Sequence, residues 1–549
     1  MSLMRLVLAV AACAASCAAC GQRGEDEGPG GTQGGPPPLH CLWVYGAIDP
    51  SPPCASSDRV EASDSEALVR ALAAACAGDE VVLTGERYEG TFVLRAGVTL
   101  RGQGATLVGE LTRRPALATI CLEGGVGGEE PVAPTVIEGV TVVNEGVGVL
   151  AAGGRVVMRD VQVEVSRGVG VVVDGVESME MGSVVIRGPV NRENLLVLGS
   201  TLDPQETAIA GLLMARSGAS LGSVEVEGFA GFGAVFFDSA VDWQGGQVRG
   251  VVGTSVLVEG SQVSLGSVQI SEGLRGVQAN FSIVSSGLLI SSGALVRSED
   301  LSIEGMDGLG ILQDGAVSAH AGLRISGTTD PGVWVQNVLT GPGGVEIPGQ
   351  VDAATPALSL AGATITGSRG AGLLVQNATG VALVDAVIEG TQLRLQPSQT
   401  FDFIDVGDGI QLSGVSRAVA LRRVALRDNG RVGLVVDGSP GDEGSEALFD
   451  FEAVTISGDP ESSFGLIAQN LEAFDAEGIS VEPALLAERD AQAALDGVTL
   501  DLTRRFSSFA GVGAVAEGGL VGSAGIVVQG GQLNTGVVVD GEGQLEVER

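Results

Sequence analysis

One six-residue pattern recurs along most of this chain: a small residue, three mostly apolar residues, a polar residue, then often Gly or Asn. It is clearest at Gly170 to Gly175 (Gly-Val-Val-Val-Asp-Gly), Gly310 to Gly315 (Gly-Ile-Leu-Gln-Asp-Gly) and Gly332 to Asn337 (Gly-Val-Trp-Val-Gln-Asn). Further copies begin at Gly372, Gly433, Gly465 and Gly536, and weaker ones at Gly148, Gly211, Ala234, Ser255, Gly276, Gly409 and Gly513. Many neighbouring starts fall 21 to 24 residues apart, as at 255 and 276 or 409 and 433. Within many units a second short run alternates apolar and polar, as in Val224-Glu-Val-Glu and Leu323-Arg-Ile-Ser. Alternation of that kind marks a strand with one buried face. Two or three short strands in each unit, joined by Gly and Asn turns, build one coil of a parallel β-solenoid. A propeller blade would need about 40 residues. The 86 Gly residues follow no collagen period.

The stretch from residue 59 to 109 sharpens this reading. Ser63 or Asp64 caps a helical run over Ala67 to Ala75. Strand-like Val81-Val-Leu, a Gly85-Glu-Arg-Tyr88 turn and Val98-Thr-Leu-Arg-Gly102 follow. This order resembles the start of right-handed parallel β-helix proteins of the pectin-lyase-like superfamily. In that family a helix closes the apolar end of the coil. The resemblance implies an all-β, right-handed parallel β-helix (solenoid) with a short N-terminal capping helix. The family hosts lyases, hydrolases, epimerases, adhesins and inert scaffolds, so it implies no single activity.

The first residues read as an export signal, with Arg5 ahead of an apolar stretch. Small residues before Cys20 resemble the lipobox of bacterial lipoproteins; Cys13, Cys17 and plain secretion are the alternatives. The expected organisation is a lipoprotein signal peptide at 1–19, a disordered tether at 20–38, an N-terminal cap and first coils at 39–130, and a β-helix with loop insertions at 131–549. The expected location is the bacterial cell envelope, at the outer membrane, with the membrane reached through the lipid on Cys20. Four other cysteines, Cys41, Cys54, Cys76 and Cys121, are even in number, as in disulfide frameworks of exported chains. The preferred pairing is Cys41–Cys54 and Cys76–Cys121.

Charge narrows the chemistry. The chain carries 30 Arg, no Lys and 67 acidic residues, a net charge of -37. It repels nucleic acid and acidic polysaccharide. Lyases of the resembled family use Lys or Arg as base, yet the basic residues here are scattered. The densest segment is Arg422-Arg423-Val-Ala-Leu-Arg427, where Arg423 and Arg427 should point outward. The family's hydrolase segments, Asn-Thr-Asp and Gly-His-Gly, do not occur. His320, in Ser-Ala-His-Ala-Gly, reads as a turn residue. Asp402, Asp405 and Asp408 are spaced so that they could share Ca²⁺, which takes six to eight oxygens; no other cofactor is expected.

The repeat strand itself carries the strongest surface signal. Its first and third apolar residues should face inward and its middle one outward. That outward column is apolar except at Gln278 and Gln411. Strands apolar on both faces are usually covered on both. Either insertions fold over this face or it receives a partner, with Phe236, Trp334 and Leu374 as binding-surface candidates. The leading expectation is a non-catalytic envelope lipoprotein acting as scaffold, adhesin or binding surface for a glycan or envelope protein. The second is a carbohydrate-active enzyme, a polysaccharide lyase or glycoside hydrolase. For the N-terminus, a palmitate analogue should label the wild type and not Cys20→Ser; equal labelling of both would move the site to Cys13 or Cys17.

Overall fold

The structure is a computed structural model. It describes residues 59–109, 118–123, 133–190, 208–278, 281–283, 285–336, 356–376, 380–397, 403–413, 419–437 and 449–458, and isolated strands beyond. Cys20, Cys41, Cys54 and the expected tether lie outside the described residues. The chain divides into two compact units. The first takes residues up to Leu257, with Ser261–Ser264 and Arg275–Ile283; the second takes Val258–Gly260, Leu265–Leu274 and the chain from Val284 onward.

Both units consist of parallel strands in repeating rungs of a right-handed β-helix. In the first unit the repeat strand Gly168–Asp174 pairs in parallel with Val147–Ala152 on one side and Ala208–Ala215 on the other. These strands form the repeat sheet. After a corner at Gly175 the chain enters Ser178–Arg187, which pairs with Arg155–Val165 in a second sheet. Strands of the second sheet bend at a left-handed residue, Asp160 (φ 50°) in one and Ser183 (φ 59°) in the next. One residue with positive φ reverses the local twist enough to turn the chain while its neighbours stay extended.

The corners stack as well as the strands. In the second unit the equivalent corner falls at Asp300, Gly322, Gly362, Asp385, Arg423 and Ala453, all with φ between 52° and 65°. Each corner amide donates to the carbonyl one residue before the next corner: Asp300 to Ala321 (2.9 Å), Gly322 to Ala361 (2.8 Å), Gly362 to Val384 (2.9 Å), Asp385 to Arg422 (3.0 Å) and Arg423 to Glu452 (2.7 Å). The intervals between these corners are unequal because insertions enter elsewhere in the coil. The ladder therefore holds where the sequence period breaks.

Apolar side chains fill the inside of each rung. In the first unit one inward column runs Ile137, Met158, Met181, Leu221, Trp243, each opposite the next in register. Burial of side chains this size stabilises by roughly 1.5–3 kcal/mol each. Phe236 meets Trp243 edge to face, with centroids 6.1 Å apart. Buried serines line the corner beside the repeat sheet: Ser217, Ser239 and Ser261 accept from the amides of Val176, Ser217 and Ser239 at 3.0, 3.1 and 3.0 Å. They satisfy amides that the corner removes from the strand ladder.

The helix Ser65–Ala74 is capped by Asp64, whose carboxylate accepts from Ala67 at 2.8 Å. It buries Leu68, Ala71 and Leu72 against the first strands. Tyr88 is fully buried and donates to the Ala62 carbonyl at 2.7 Å, which fixes the turn beneath the helix.

Two expectations fail here. Cys121 is disulfide-bonded, but Cys76 is not its partner, so Cys76–Cys121 is not a bridge. Cys76 follows the helix that covers the end of the coil. Cys121 is buried on the outer side of the repeat sheet, between Val93 and Leu150 in register. The proposed start at Gly276 is also not a rung. Gly276–Gln278 forms an antiparallel hairpin with Phe281–Ile283, and the repeat strand there is Ser285–Ser291.

The glycine opening each repeat strand has a packing cause. A Cβ on Gly170 would lie 2.3 Å from Ile186 Cγ2 and 2.7 Å from the Gly211 carbonyl oxygen. Gly182, in the second sheet, has open space around the same position. Gly170→Ala should therefore destabilise by about 1–3 kcal/mol, while Gly182→Ala stays within about 0.5 kcal/mol of wild type. Denaturant titration of both variants measures this; equal effects would discard the close-approach explanation.

Candidate functional site

The outward face of the repeat sheet differs between the two units. In the first, the outward column reads Val93, Cys121, Leu150, Val172, Leu213, Val235 in register. All but Val93 are buried. Phe236 is not in this column. It pairs with Met214, faces inward and is 0% exposed. The repeat begins at Gly233, not Ala234, and a one-residue shift moves a side chain to the opposite face. Phe236 therefore belongs to the core and not to a binding surface.

In the second unit two outward columns run side by side. One is Leu289, Leu312, Trp334, Leu374, Gln411, Val435; the other is Ser291, Asp314, Gln336, Gln376, Ser413. Strand spacing sets these residues about 4.8 Å apart along each column. Leu289, Leu312, Trp334 and Gln411 are half-buried, as is every residue of the polar column from Ser291 to Ser413. Trp334 thus stands where the sequence pattern placed it, on an accessible outer face. Leu374 also faces outward, but at 8% exposure it is covered and offers little surface. The Trp334 indole N–H donates to Gln376 Oε1 at 3.2 Å, linking the apolar column to the polar one. Nothing in the repeat pattern announces Gln376 or Gln336 as site residues. The periodic polar residue after each apolar triplet is the available signal.

The charged candidates resolve into ion pairs. Asp402 lies outside the described residues, and the Asp405 backbone pairs with Leu395 in an antiparallel hairpin. Asp408 is fully buried and grips the Arg431 guanidinium with both oxygens, Oδ1 lying 2.6 Å from Nε. Burial pushes the Asp408 carboxyl above its usual range, and Arg431 opposes that shift. Arginine, not a shared cation, is the counter-charge at Asp408. Among the described residues no group of three or more His, Cys, Asp or Glu is arranged to hold a metal ion. Arg422 and Arg423 do point outward, and acids neutralise them: Asp450 lies 2.5 Å from Arg422, and Asp385 accepts two bonds from Arg423 at 2.6 and 3.0 Å. The Arg423 guanidinium holds the Asp385 carboxyl below the usual range. Two of the three arginines of this segment are thus occupied by acids, and Arg427 is exposed beside them.

His320 is not a turn residue. It lies in strand Val317–Ala321, faces inward, and shares a 2.7 Å hydrogen bond between Nδ1 and Ser298 Oγ. Nε2 is buried without a hydrogen-bond partner. The neighbouring Gln313 is also inward, donating to the Ala316 and Ala357 carbonyls and accepting from Ser318. No substrate reaches a ring that is 2% exposed.

No family model and no curated protein matches the chain. Solved structures of low similarity do. The catalytic domain of a GH87 alpha-1,3-glucanase in complex with nigerose is 12% identical, with a TM-score of 0.30 over 93% of this chain and 68% of that one. The tailspike of Acinetobacter phage vb_AbaP_AS12 gives 9% and 0.31, over 73% of this chain and 63% of its own. The A-module of the Azotobacter vinelandii mannuronan C-5 epimerase AlgE6 gives 13% and 0.29, over 77% and 96%.

Burial pushes the His320 pKa down to about 4. Above about pH 6.5 the ring is neutral in both folded and unfolded chains. Between pH 6.5 and about 4 only the unfolded chain gains the proton, so stability falls as pH falls through that window. The loss should approach about 3 kcal/mol and be absent from the difference curve of His320→Gln. Denaturant titrations of both proteins from pH 7.5 to 4 test this; identical slopes would refute it.

Proposed function

We propose that the protein belongs with carbohydrate-active proteins rather than inert scaffolds, and that its second unit holds a neutral polysaccharide against the outer face of the repeat sheet. The observation that carries this reading is the accessible indole of Trp334 standing beside the polar column Asp314, Gln336, Gln376, Ser413. A sugar ring presents an apolar face edged by hydroxyls. An aromatic side chain takes the face, and amides, hydroxyls and carboxylates take the edge. Repetition at the strand spacing offers a polymer the same groups again and again. A scaffold needs none of these groups on an otherwise apolar strand.

Neutral sugars fit better than uronates. Neither column contains Arg, and the whole chain is strongly acidic. Glycoside hydrolysis needs two carboxyl groups about 5–9.5 Å apart. Among the described side chains of the polar column, from Ser291 to Ser413, Asp314 is the one carboxylate. One carboxylate does not make a hydrolytic pair, so binding is the reading the column favours.

Titration with cellohexaose, maltohexaose and laminarihexaose should give binding to at least one of them. Trp334→Ala should weaken that binding roughly tenfold, equivalent to about 1.4 kcal/mol, without lowering the melting temperature. A reducing-end assay on the same mixtures separates an enzyme from a binder. Failure to bind any neutral oligosaccharide, or full affinity in Trp334→Ala, would remove this proposal.

A further inference from the structure

Gln376 and Trp334 sit on neighbouring strands, but not opposite each other. The register pairs Trp334 with Leu374 and Gln336 with Gln376. The hydrogen bond from Trp334 Nε1 to Gln376 Oε1, at 3.2 Å, is therefore diagonal: one rung along the coil and two residues along the strand. Diagonal neighbours on one sheet face are within reach of long side chains. An indole making this bond leans along the coil towards the next rung instead of standing freely above the sheet. Its exposed face thereby has a set direction.

The same bond orients the amide. An indole N–H only donates, so the glutamine must present its oxygen to it. The Gln376 NH₂ is then turned away from the ring. It is left to donate to whatever lies against the indole. Gln336, on the preceding rung of the same column, is half-buried and can supply a second amide. Leu374, covered at 8% exposure, closes the apolar column on the far side of Trp334.

We infer that Gln376 is the positioning residue of a subsite formed by Trp334, Gln336 and Gln376. It fixes the indole with its oxygen and offers its NH₂ to an acceptor oxygen, a hydroxyl or ring oxygen, of a neutral sugar stacked on that ring. This rests on the carbohydrate reading above and adds what sets the geometry of the platform. A ligand edged by donors only, such as a protonated amine, has no partner in that NH₂.

Three variants separate the roles. Gln376→Leu removes both oxygen and NH₂. Gln376→Glu keeps an acceptor for the indole and loses the outward donor. Trp334→Phe identifies the Trp334 emission by difference, because it leaves the contributions of Trp43 and Trp243 in place to be subtracted. Without ligand, acrylamide should quench the Trp334 component at least twofold more in Gln376→Leu than in wild type, with Gln376→Glu close to wild type. With whichever of the three hexaoses binds, both variants should lose about fivefold or more in affinity at unchanged melting temperature.

Unchanged quenching in Gln376→Leu overturns the positioning role. Full affinity in Gln376→Glu overturns the donor role. A wild type that binds none of the hexaoses, while quenching responds as stated, removes the sugar platform and the carbohydrate reading but leaves the indole tether standing.

Discussion

A left-handed residue at each corner, with its amide bonded to the corner of the next coil, is the constraint on which everything else in this fold depends. Parallel strands cannot be joined by tight hairpins, so a chain that stacks them every 22 residues or so must turn gently and repeatedly. A single residue with positive φ does this while leaving its neighbours extended. Glycine does it with least strain, yet Asp160, Asp385 and Arg423 occupy such corners as well. Asp tolerates the conformation through its short polar side chain. Arg423 has no such local help, and its guanidinium instead spans to Asp385 at the preceding corner of the same stack. The backbone ladder between corners is indifferent to side chains. That is why residues of such different chemistry share the position.

The same geometry explains the economy of charge. Positions facing solvent repeat at fixed spacing on the second sheet, so like charges would stack on like charges. Arg101 lies between Glu80 and Glu138, and Glu227 between Arg187 and Arg249. Each exposed pair contributes little by itself. Their collective effect is to occupy these arginines, leaving the excess acid to dominate the field. The buried pair of Asp408 and Arg431 is different. Removing either partner would strand a charge in the interior, at a cost of about 3–5 kcal/mol. Its place is beside the hairpin of Arg394–Pro397 with Phe403–Val406, Asp408 lying two residues past the last hairpin pair.

Much of the fold was legible in the sequence because coil period, inward alternation and the capping helix are all written in local pattern. The inward placement of Val171 and Val173, or of Ile311 and Gln313, follows from alternation alone. Phe236 shows the limit. Both Gly233 and Ala234 are small enough to open the motif, and choosing wrongly turned a core aromatic into a surface one. Asp402, Asp405 and Asp408 show another. Spacing along a chain says nothing about an arginine 23 residues later, and Arg431 answers Asp408 only because one coil separates them. Non-glycine corners were invisible for the same reason: Arg423 reads as an ordinary basic residue until the ladder places it.

The candidate site was half legible, and the division is physical. Trp334 was singled out because an aromatic residue at an outward position breaks the expectation of a wet face. Gln336 and Gln376 were not, because each is only the polar residue that closes one copy of the repeat. Their meaning comes only from register, which aligns the ends of successive repeat strands into one column. In a solenoid, a residue too ordinary to notice once becomes a surface when the fold repeats it at the strand spacing. Function in such a chain therefore resides less in any motif than in which columns stay covered and which stay open. In the first unit the outward column from Cys121 to Val235 is closed; in the second, the column from Leu289 to Trp334 remains accessible beside its polar neighbour.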